Sequence, residues 1–259
     1  MRAATPPTIR RRIDAMLSSP SPSRRSAVPA LPPGQRELTH FPRFGLSQFA
    51  HRFPSSPSST CLQICGEVER PIELTDPLDG LPRVEQISDF HCVTTWSRRG
   101  LRWSGVRFSD FHAAVILPQS KPAAAAEYLY LRGQDGARTC VLLEDLLEAD
   151  VLLADRLDGE PLALAHGAPL RLVAPSQYGY KSVKHLCRIE FRLDQNGFRP
   201  AAFAFMDHLR ARVALEERGR GVPGWLLRYL YRPLIGPTVR RFAAAMGKHE
   251  TRSATDCSS

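Results

Sequence analysis

Strict alternation of apolar and polar positions is clearest in "CRIEFRL" (187–193). Cys187, Ile189 and Phe191 share one face there, and Arg188, Glu190 and Arg192 the other. Successive side chains of a strand point to opposite sides, so this stretch predicts a half-exposed strand. "STCLQICGEVERPIEL" (59–74) alternates well enough to predict a strand followed by a turn. The short apolar runs "AAVIL" (113–117), "AEYLYL" (126–131) and "RTCVLL" (138–143) predict three more strands, with a turn at "GQDG" (133–136) between the last two. "GLRWSGVRFSDFH" (100–112) reads as a tight bend leading into a short helix. "LEDLLEADVLLADRLDGEPL" (143–162) predicts a helical segment around Glu144–Ala149, then an apolar strand and a turn at Asp158-Gly159. "PLRLVAP" (169–175) follows as a strand. Ahead of all of these, residues 30–45 form an extended lead-in, with Pro32-Pro33-Gly34 opposing regular structure.

From Pro200 the period changes. Phe203, Met206, Leu209 and Val213 recur at helical spacing and predict an amphipathic helix over 200–217. Residues 222–248 mix large apolar side chains with arginines, interrupted by Pro233 and Pro237. This stretch is either a helical extension packed on the body or a surface that meets a partner or an anionic membrane. The elements together describe an α+β fold with a basic helical C-terminal extension.

Composition refines this outline. The 259 residues are 43% apolar and 24% charged, as in an ordinary globular protein, and 22 prolines favour many short strands over a helix bundle. No apolar run approaches the roughly 18 residues of a membrane span. The net charge of +9 sits at the ends. Residues 1–36 hold seven Arg and one Asp, and residues 198–259 hold ten Arg, one Lys and five acids, a net of +6 in each. Residues 37–197 carry 17 basic and 20 acidic groups, a net of −3, so a nucleic-acid-binding body is not expected. Residues 1–30 are expected to be a disordered basic tail, since the arginines are not followed by the apolar stretch of a secretory signal. The six cysteines form no CxxC pair. Cys61 and Cys65 fall on one face of the same strand, too far apart to bridge, and a reducing cytoplasm is the expected compartment.

Two stretches carry candidate chemistry. In "DFHCVTTWS" (89–97), Cys92 is a buried thiol, a nucleophile or a metal ligand. Adjacent residues of an extended chain face opposite ways, so His91 is a poor base for Cys92, and a nucleophile would need His112 or His166. The second stretch, "HGAPLRLVAPSQYGYKSVKHL" (166–186), concentrates His166, Arg171, Lys181, Ser182 and Lys184 with Gly167 and Gly179. Arginine grips a phosphate with two donors, lysine adds point charge and glycine admits backbone N–H groups, so the cluster suits a phosphorylated anion as well as it suits an exposed basic loop. "GYKS" lacks the spacing of a nucleotide P-loop.

In order and spacing, "DFHCVTTWS", "GLRWSGV", "DGEPLALAHGAPLRLVAP" and "YGYKSVKHL" resemble the sulfite oxidase family of molybdenum enzymes, over about residues 30–195. The resemblance implies a sulfite-oxidase-type fold of mixed β-sheets with short helices. It places the molybdopterin-binding oxidoreductase domain at 31–197 and the extension at 198–259. It implies that Cys92 binds molybdenum, the other sulfur ligands coming from the dithiolene of a pterin cofactor. It implies that His166 and Arg171 hold the pterin and its phosphate, that Ser182, Val183 and Lys184 complete that pocket, and that Asp135 contacts the pterin. Arg43 in "FPRFG" resembles an arginine near the metal, and Trp96 is placed beside it at the entrance. A thiolate is a suitable ligand for a metal already bound by sulfur, and the redox chemistry then belongs to the cofactor.

The chain departs from the family pattern at three places. Phe44 and Gly45 follow Arg43 where the sulfite oxidases have Asn-His. Thr95, Trp96 and Ser97 stand where those enzymes place sulfite-binding arginines, closer to the bacterial reductase branch. No tyrosine occurs between Lys184 and Tyr229. The expectation is therefore a molybdenum-cofactor enzyme transferring an oxygen atom to or from a small substrate, a sulfur oxyanion or an S- or N-oxide. No haem is expected, so electrons pass through a separate partner. The alternatives are a molybdopterin-binding protein without turnover, or an interaction protein using its basic ends on nucleic acid or an anionic membrane.

Overall fold

A computed structural model describes residues 30–54 and 59–256. The basic tail expected at 1–30 lies outside the described residues apart from Ala30. Two β-sheets face one another across the main core. The first is built on β5 (Trp96–Arg107), the longest strand. β1 (Arg36–Glu37) pairs with it in parallel, and β4 (Arg83–His91) and β8 (Leu152–Leu157) pair with it antiparallel. β8 also holds β9 (Glu160–Pro161) and β10 (Arg171–Val173). The second sheet runs in the order β3 (Ile72–Leu74), β2 (Leu62–Gly66), β11 (Leu186–Arg192), β6 (Tyr128–Gly133), β7 (Arg138–Leu142), with only β2 and β11 parallel.

The alternation read in 187–193 places Ile189 and Phe191 of β11 in the core, beside Leu62 and Ile64 of β2 and Leu129 and Leu131 of β6. Phe108, Phe111 and Ile116 close the same core from a short helical stretch, so the apolar faces of both sheets leave water together. A second cluster on the far side of the first sheet joins Leu101 and Trp103 of β5 to Leu152, Ala154 and Val173.

Four expectations are corrected. The run 113–117 is helical: α1 (Phe108–Phe111) passes through a π-helical turn (His112–Ile116) into α2 (Leu117–Gln119). Short apolar runs do not discriminate strand from buried helix, and here Phe108, Phe111 and Ile116 fall inward at helical spacing. Residues 100–107 are the end of β5 rather than a bend. Residues 200–217 form no long helix, only a 3-10 turn at Ala204–Met206. Ala211 and Glu216 both take φ +51°, which a helix excludes, and the segment is pinned as single anchors by Tyr178 N–H to Ala211 O and Val213 N–H to Ser176 O. Finally, only Pro233 interrupts the C-terminal helices. α4 (Gly224–Tyr231) passes through a 3-10 turn containing Pro233 into α5 (Ile235–Asp256), whose first turn accommodates Pro237 because no helical acceptor is needed there. The short helix expected near 144–149 is present as α3 (Leu143–Leu146).

One glycine holds the first sheet together. A Cβ on Gly105 would stand 2.0 Å from Leu153 O and 2.7 Å from Ala154 Cα, both backbone atoms of β8. Backbone in a paired ladder cannot yield, so Gly105→Ala is expected to destabilise the protein by about 3 kcal/mol or more. Chemical denaturation measures this as a lowered midpoint at unchanged slope.

Candidate functional site

Cys92 sits at the turn between β4 and β5. Its N–H donates to Trp96 O at 2.8 Å, Thr95 N–H returns to Cys92 O at 3.1 Å, and Gln35 Nε2 donates to the same carbonyl at 3.1 Å. The turn requires φ +83° at Thr95, a strained conformation for a β-branched residue. Thr95 is fully buried, and Arg36 N–H donates to its carbonyl at 3.0 Å. Backbone strain is thus held in the residues that present the thiol.

The Cys92 thiol is 8% exposed and its Sγ lies 3.1 Å from Thr94 Oγ1. Burial pushes its pKa up, while the Thr94 hydrogen bonds and the charges of Arg218 and Lys184 pull it down. His91 Nδ1 instead meets Ser97 Oγ at 2.7 Å, as expected for a neighbour on the opposite face. His112 lies in the main core against Phe108 and Phe191, and His166 stacks on Phe41 at 4.6 Å, the rings 3° apart. Among the described residues the side chain that meets Cys92 Sγ is that of Thr94 and not a histidine, so the geometry gives the Cys–His hydrolase reading no support.

The basic cluster is assembled where the turn after the 3-10 segment Leu164–His166 meets the Ser182–Lys184 strip. Gly167, at φ +111°, permits the approach, since a Cβ there would lie 3.1 Å from the Cβ atoms of both Arg171 and Lys184. Arg171 is completely buried. Its guanidinium donates to His166 O at 2.8 Å and to Ser182 O and Leu172 O at 3.3 Å, and lies 4.8 Å from the Trp103 ring centre. Burial lowers its pKa to about 9. Ser182 Oγ accepts from Ala174 N–H at 3.1 Å. Lys184 Nζ donates to Ala165 O at 3.1 Å and Phe44 O at 3.3 Å. Burial, then Arg171 and Arg43, lower its pKa to about 7. Burial beside Lys184 and Arg171 drives His166 down to about 4, so its imidazole is neutral at pH 7.

Lys184 points to a cavity of about 160 Å³ whose walls include Arg43, Asp135, Ser182, Val183, Lys184 and Asp207. Val93, next to Cys92, also lines it, whereas Cys92, His166 and Arg171 do not. Asp135 Oδ1 accepts from Ala137 N–H at 2.9 Å and its charge supports the protonated forms of Arg43 and Lys184. The Arg43 guanidinium is engaged by Ala50 O at 2.7 Å and Arg52 O at 2.9 Å, and lies against the Phe53 and Phe242 rings. It therefore shapes the cavity rim through the 47–52 turn. Trp96 is buried among Phe41, Phe44 and Phe90 rather than lining an entrance.

Two further groups escaped sequence reasoning. Arg218 is fully buried and donates to Val93 O at 2.6 Å and Pro33 O at 3.0 Å, tying the C-terminal segment to the Cys92 turn. Asp207 pairs with buried Lys181 at 3.1 Å. Lys181 lay within the visible basic run, but nothing local marked Arg218 or Asp207.

These residues fit a metal-bearing pterin phosphate. Among the described residues no three His, Cys, Asp or Glu side chains gather as a metal site, so a metal held by Cys92 takes its remaining ligands from a non-protein group. Arg171, fully buried, and Lys184, half-buried, form no ion pair with any described carboxylate. A fully buried guanidinium beside a partly desolvated ammonium, with only Asp135 near the latter, is an arrangement that suits an anion.

The depressed Lys184 pKa has a consequence for stability. Its unfolded value is near 10.5 and its folded value about 7, so between these limits the unfolded chain binds more protons. Stability then rises with pH across that window, and the cost of the buried charge is fully present below pH 7. Cofactor-free protein is expected to gain stability from pH 7 towards 10, and Lys184→Met to flatten this dependence in denaturant titrations.

Comparison with known proteins agrees with this chemistry. Residues 50–198 match the oxidoreductase molybdopterin binding domain. The uncharacterized oxidoreductase YuiH of Bacillus subtilis (strain 168) is 36% identical over 162 residues, covering 62% of this chain and 78% of that protein. The protein-methionine-sulfoxide reductase catalytic subunit MsrP is 32% identical over 146 residues in Xanthomonas campestris pv. campestris and 26% over 176 residues in Campylobacter jejuni. These matches cover 50% and 59% of this chain, but only 44% and 57% of the two MsrP proteins. Among solved structures, the sulfane dehydrogenase SoxCD from Paracoccus pantotrophus aligns over 74% of this chain and 60% of that chain, at 20% identity and a TM-score of 0.47, too remote to bear on function. A match across more than half of the chain, together with the extent of the YuiH alignment, shows that this chain belongs to the family of oxidoreductase molybdopterin binding domains.

Proposed function

We propose that this domain uses a molybdenum–molybdopterin cofactor to transfer an oxygen atom, with the reduction of small S- or N-oxides as its principal reaction. The observation that carries the proposal is the placement of the buried thiol Cys92, in the turn before β5, within the electrostatic reach of Lys184, a half-buried cation on the wall of the neighbouring cavity. Cys92 would hold the metal, Lys184 and Ser182 with the Val183 backbone would hold the pterin, and Arg171 with His166 would hold its phosphate side. When bound, the cofactor supplies two-electron redox chemistry at a metal that can exchange oxygen. The protein excludes water around the thiol, fixes its direction through the strained Thr95 turn, and balances cofactor charge with Arg171 and Lys184. The absence of arginines at 95–97 and the similarity to MsrP support an oxide over sulfite as substrate. Reduction of an S-oxide consumes two electrons and two protons and releases water, so the reading also requires a separate electron donor.

The test is molybdenum and pterin analysis of protein made in a cofactor-competent host. It is followed by assays with a reduced viologen against sulfoxides and N-oxides, and with ferricyanide against sulfite. Stoichiometric molybdenum with oxide-dependent viologen oxidation is the expected result. Protein without molybdenum overturns the cofactor reading, and sulfite-dependent ferricyanide reduction as the sole activity overturns the choice of substrate.

A further inference from the structure

Helix α4 turns an apolar face outward. At about 100° per residue, Trp225, Leu226, Tyr229 and Leu230 share one side of the helix, and they are 56, 49, 62 and 59% exposed. The opposite side is already used: Leu227 and Tyr231 are buried, and Arg228 pairs with Glu216 at 2.6 Å. Leu234, one turn on and 48% exposed, extends the outward face. Single exposed leucines are ordinary, but four large apolar side chains on adjacent turns form a patch of the kind that meets a partner or a membrane. Tryptophan and tyrosine suit a boundary between hydrocarbon and water, because each joins a large ring to a polar N–H or O–H.

The extension that carries α4 is cationic. Residues 198–259 carry a net +6, and Arg240, Arg241 and Lys248 of α5 are exposed while Phe242 and Ala245 fasten that helix to the body. Among the described residues no helix is long and apolar enough to cross a membrane, so a bilayer would be met at its surface. A second copy of this chain would bring the same positive charge to the contact, whereas an anionic bilayer complements it.

We propose that α4 docks this protein on an anionic lipid surface. Trp225, Leu226, Tyr229 and Leu230 enter the headgroup–acyl boundary, and the exposed Arg240, Arg241 and Lys248 of α5 meet the headgroups. The test is co-sedimentation of the full chain with vesicles of phosphatidylcholine alone or mixed with phosphatidylglycerol. The chain is expected to bind the mixed vesicles, to release with salt, and to lose about tenfold or more in partitioning as Trp225→Ser/Leu230→Ser. Acyl-brominated lipid is expected to quench wild-type tryptophan fluorescence but not that of Trp225→Phe, since Trp96 and Trp103 are buried; this readout stands if the double variant misfolds. Failure to bind phosphatidylglycerol vesicles, or quenching that persists in Trp225→Phe, overturns the proposal. So does a dimer in sedimentation equilibrium that the double variant dissolves without any vesicle binding.

Discussion

Cys92→Ser protein made in a cofactor-competent host is expected to contain less than about a tenth of the wild-type molybdenum and to show no turnover above background. The substitution exchanges sulfur for oxygen within nearly the same volume, so packing is preserved and the stability of cofactor-free protein should stay within about 1 kcal/mol. What changes is the ligand. A thiolate is soft and is formed far more readily than an alkoxide, and here Thr94, Arg218 and Lys184 all favour it against the penalty of burial. The check is metal analysis beside a denaturation curve. Loss of molybdenum with an intact curve assigns the role to the thiolate, whereas a variant keeping both metal and turnover would remove Cys92 from the metal.

The second large effect is expected at Arg171 and has opposite signs in the two forms of the protein. Its guanidinium is completely buried with no ion pair to a described carboxylate, so in cofactor-free protein the charge is a liability offset by donation to His166, Ser182 and Leu172 carbonyls and by the Trp103 and Phe90 rings. Arg171→Met removes the charge and those donors together, and cofactor-free stability is expected to change by no more than about 2 kcal/mol. With an anionic cofactor bound, the same charge is an attraction in a low-dielectric site. Its loss is expected to weaken retention about a hundredfold, roughly 3 kcal/mol. Thermal midpoints of both forms measure the difference: wild type should be raised strongly by the cofactor, and Arg171→Met little. An equal drop in both forms would make Arg171 a purely structural donor.

Several strands and both chemical stretches were legible because their signals are local. The alternation of 187–193 survives as β11 since one sheet face is buried and the other wet, and period two is the direct record of that. The turn at Asp158-Gly159 is likewise present, with Asp158 at φ +54° and Gly159 at φ +89°. Legibility failed where one local pattern serves two structures. The apolar run 113–117 carries no period by which to separate strand from helix. The helical spacing of Phe203, Met206, Leu209 and Val213 came from a chain whose conformation is set by distant bonds, and Phe203 ends up 73% exposed.

The same division runs through the site. The residue types are written in the chain: one thiol in a polar stretch, and a run of His, Arg, Ser and Lys suited to an anion. Which of them act together was set by the packing of the chain. It placed Lys184 on the cavity wall with Asp135 and Arg43, and kept Arg171 and Cys92 off that wall. It set the Arg43 guanidinium on Ala50 O at the cavity rim, buried Trp96 against Phe44, and brought Arg218 from the C-terminal segment to the carbonyl beside Cys92. Side-chain chemistry is written residue by residue, but desolvation and Coulomb interaction depend on distances that close only when remote segments pack.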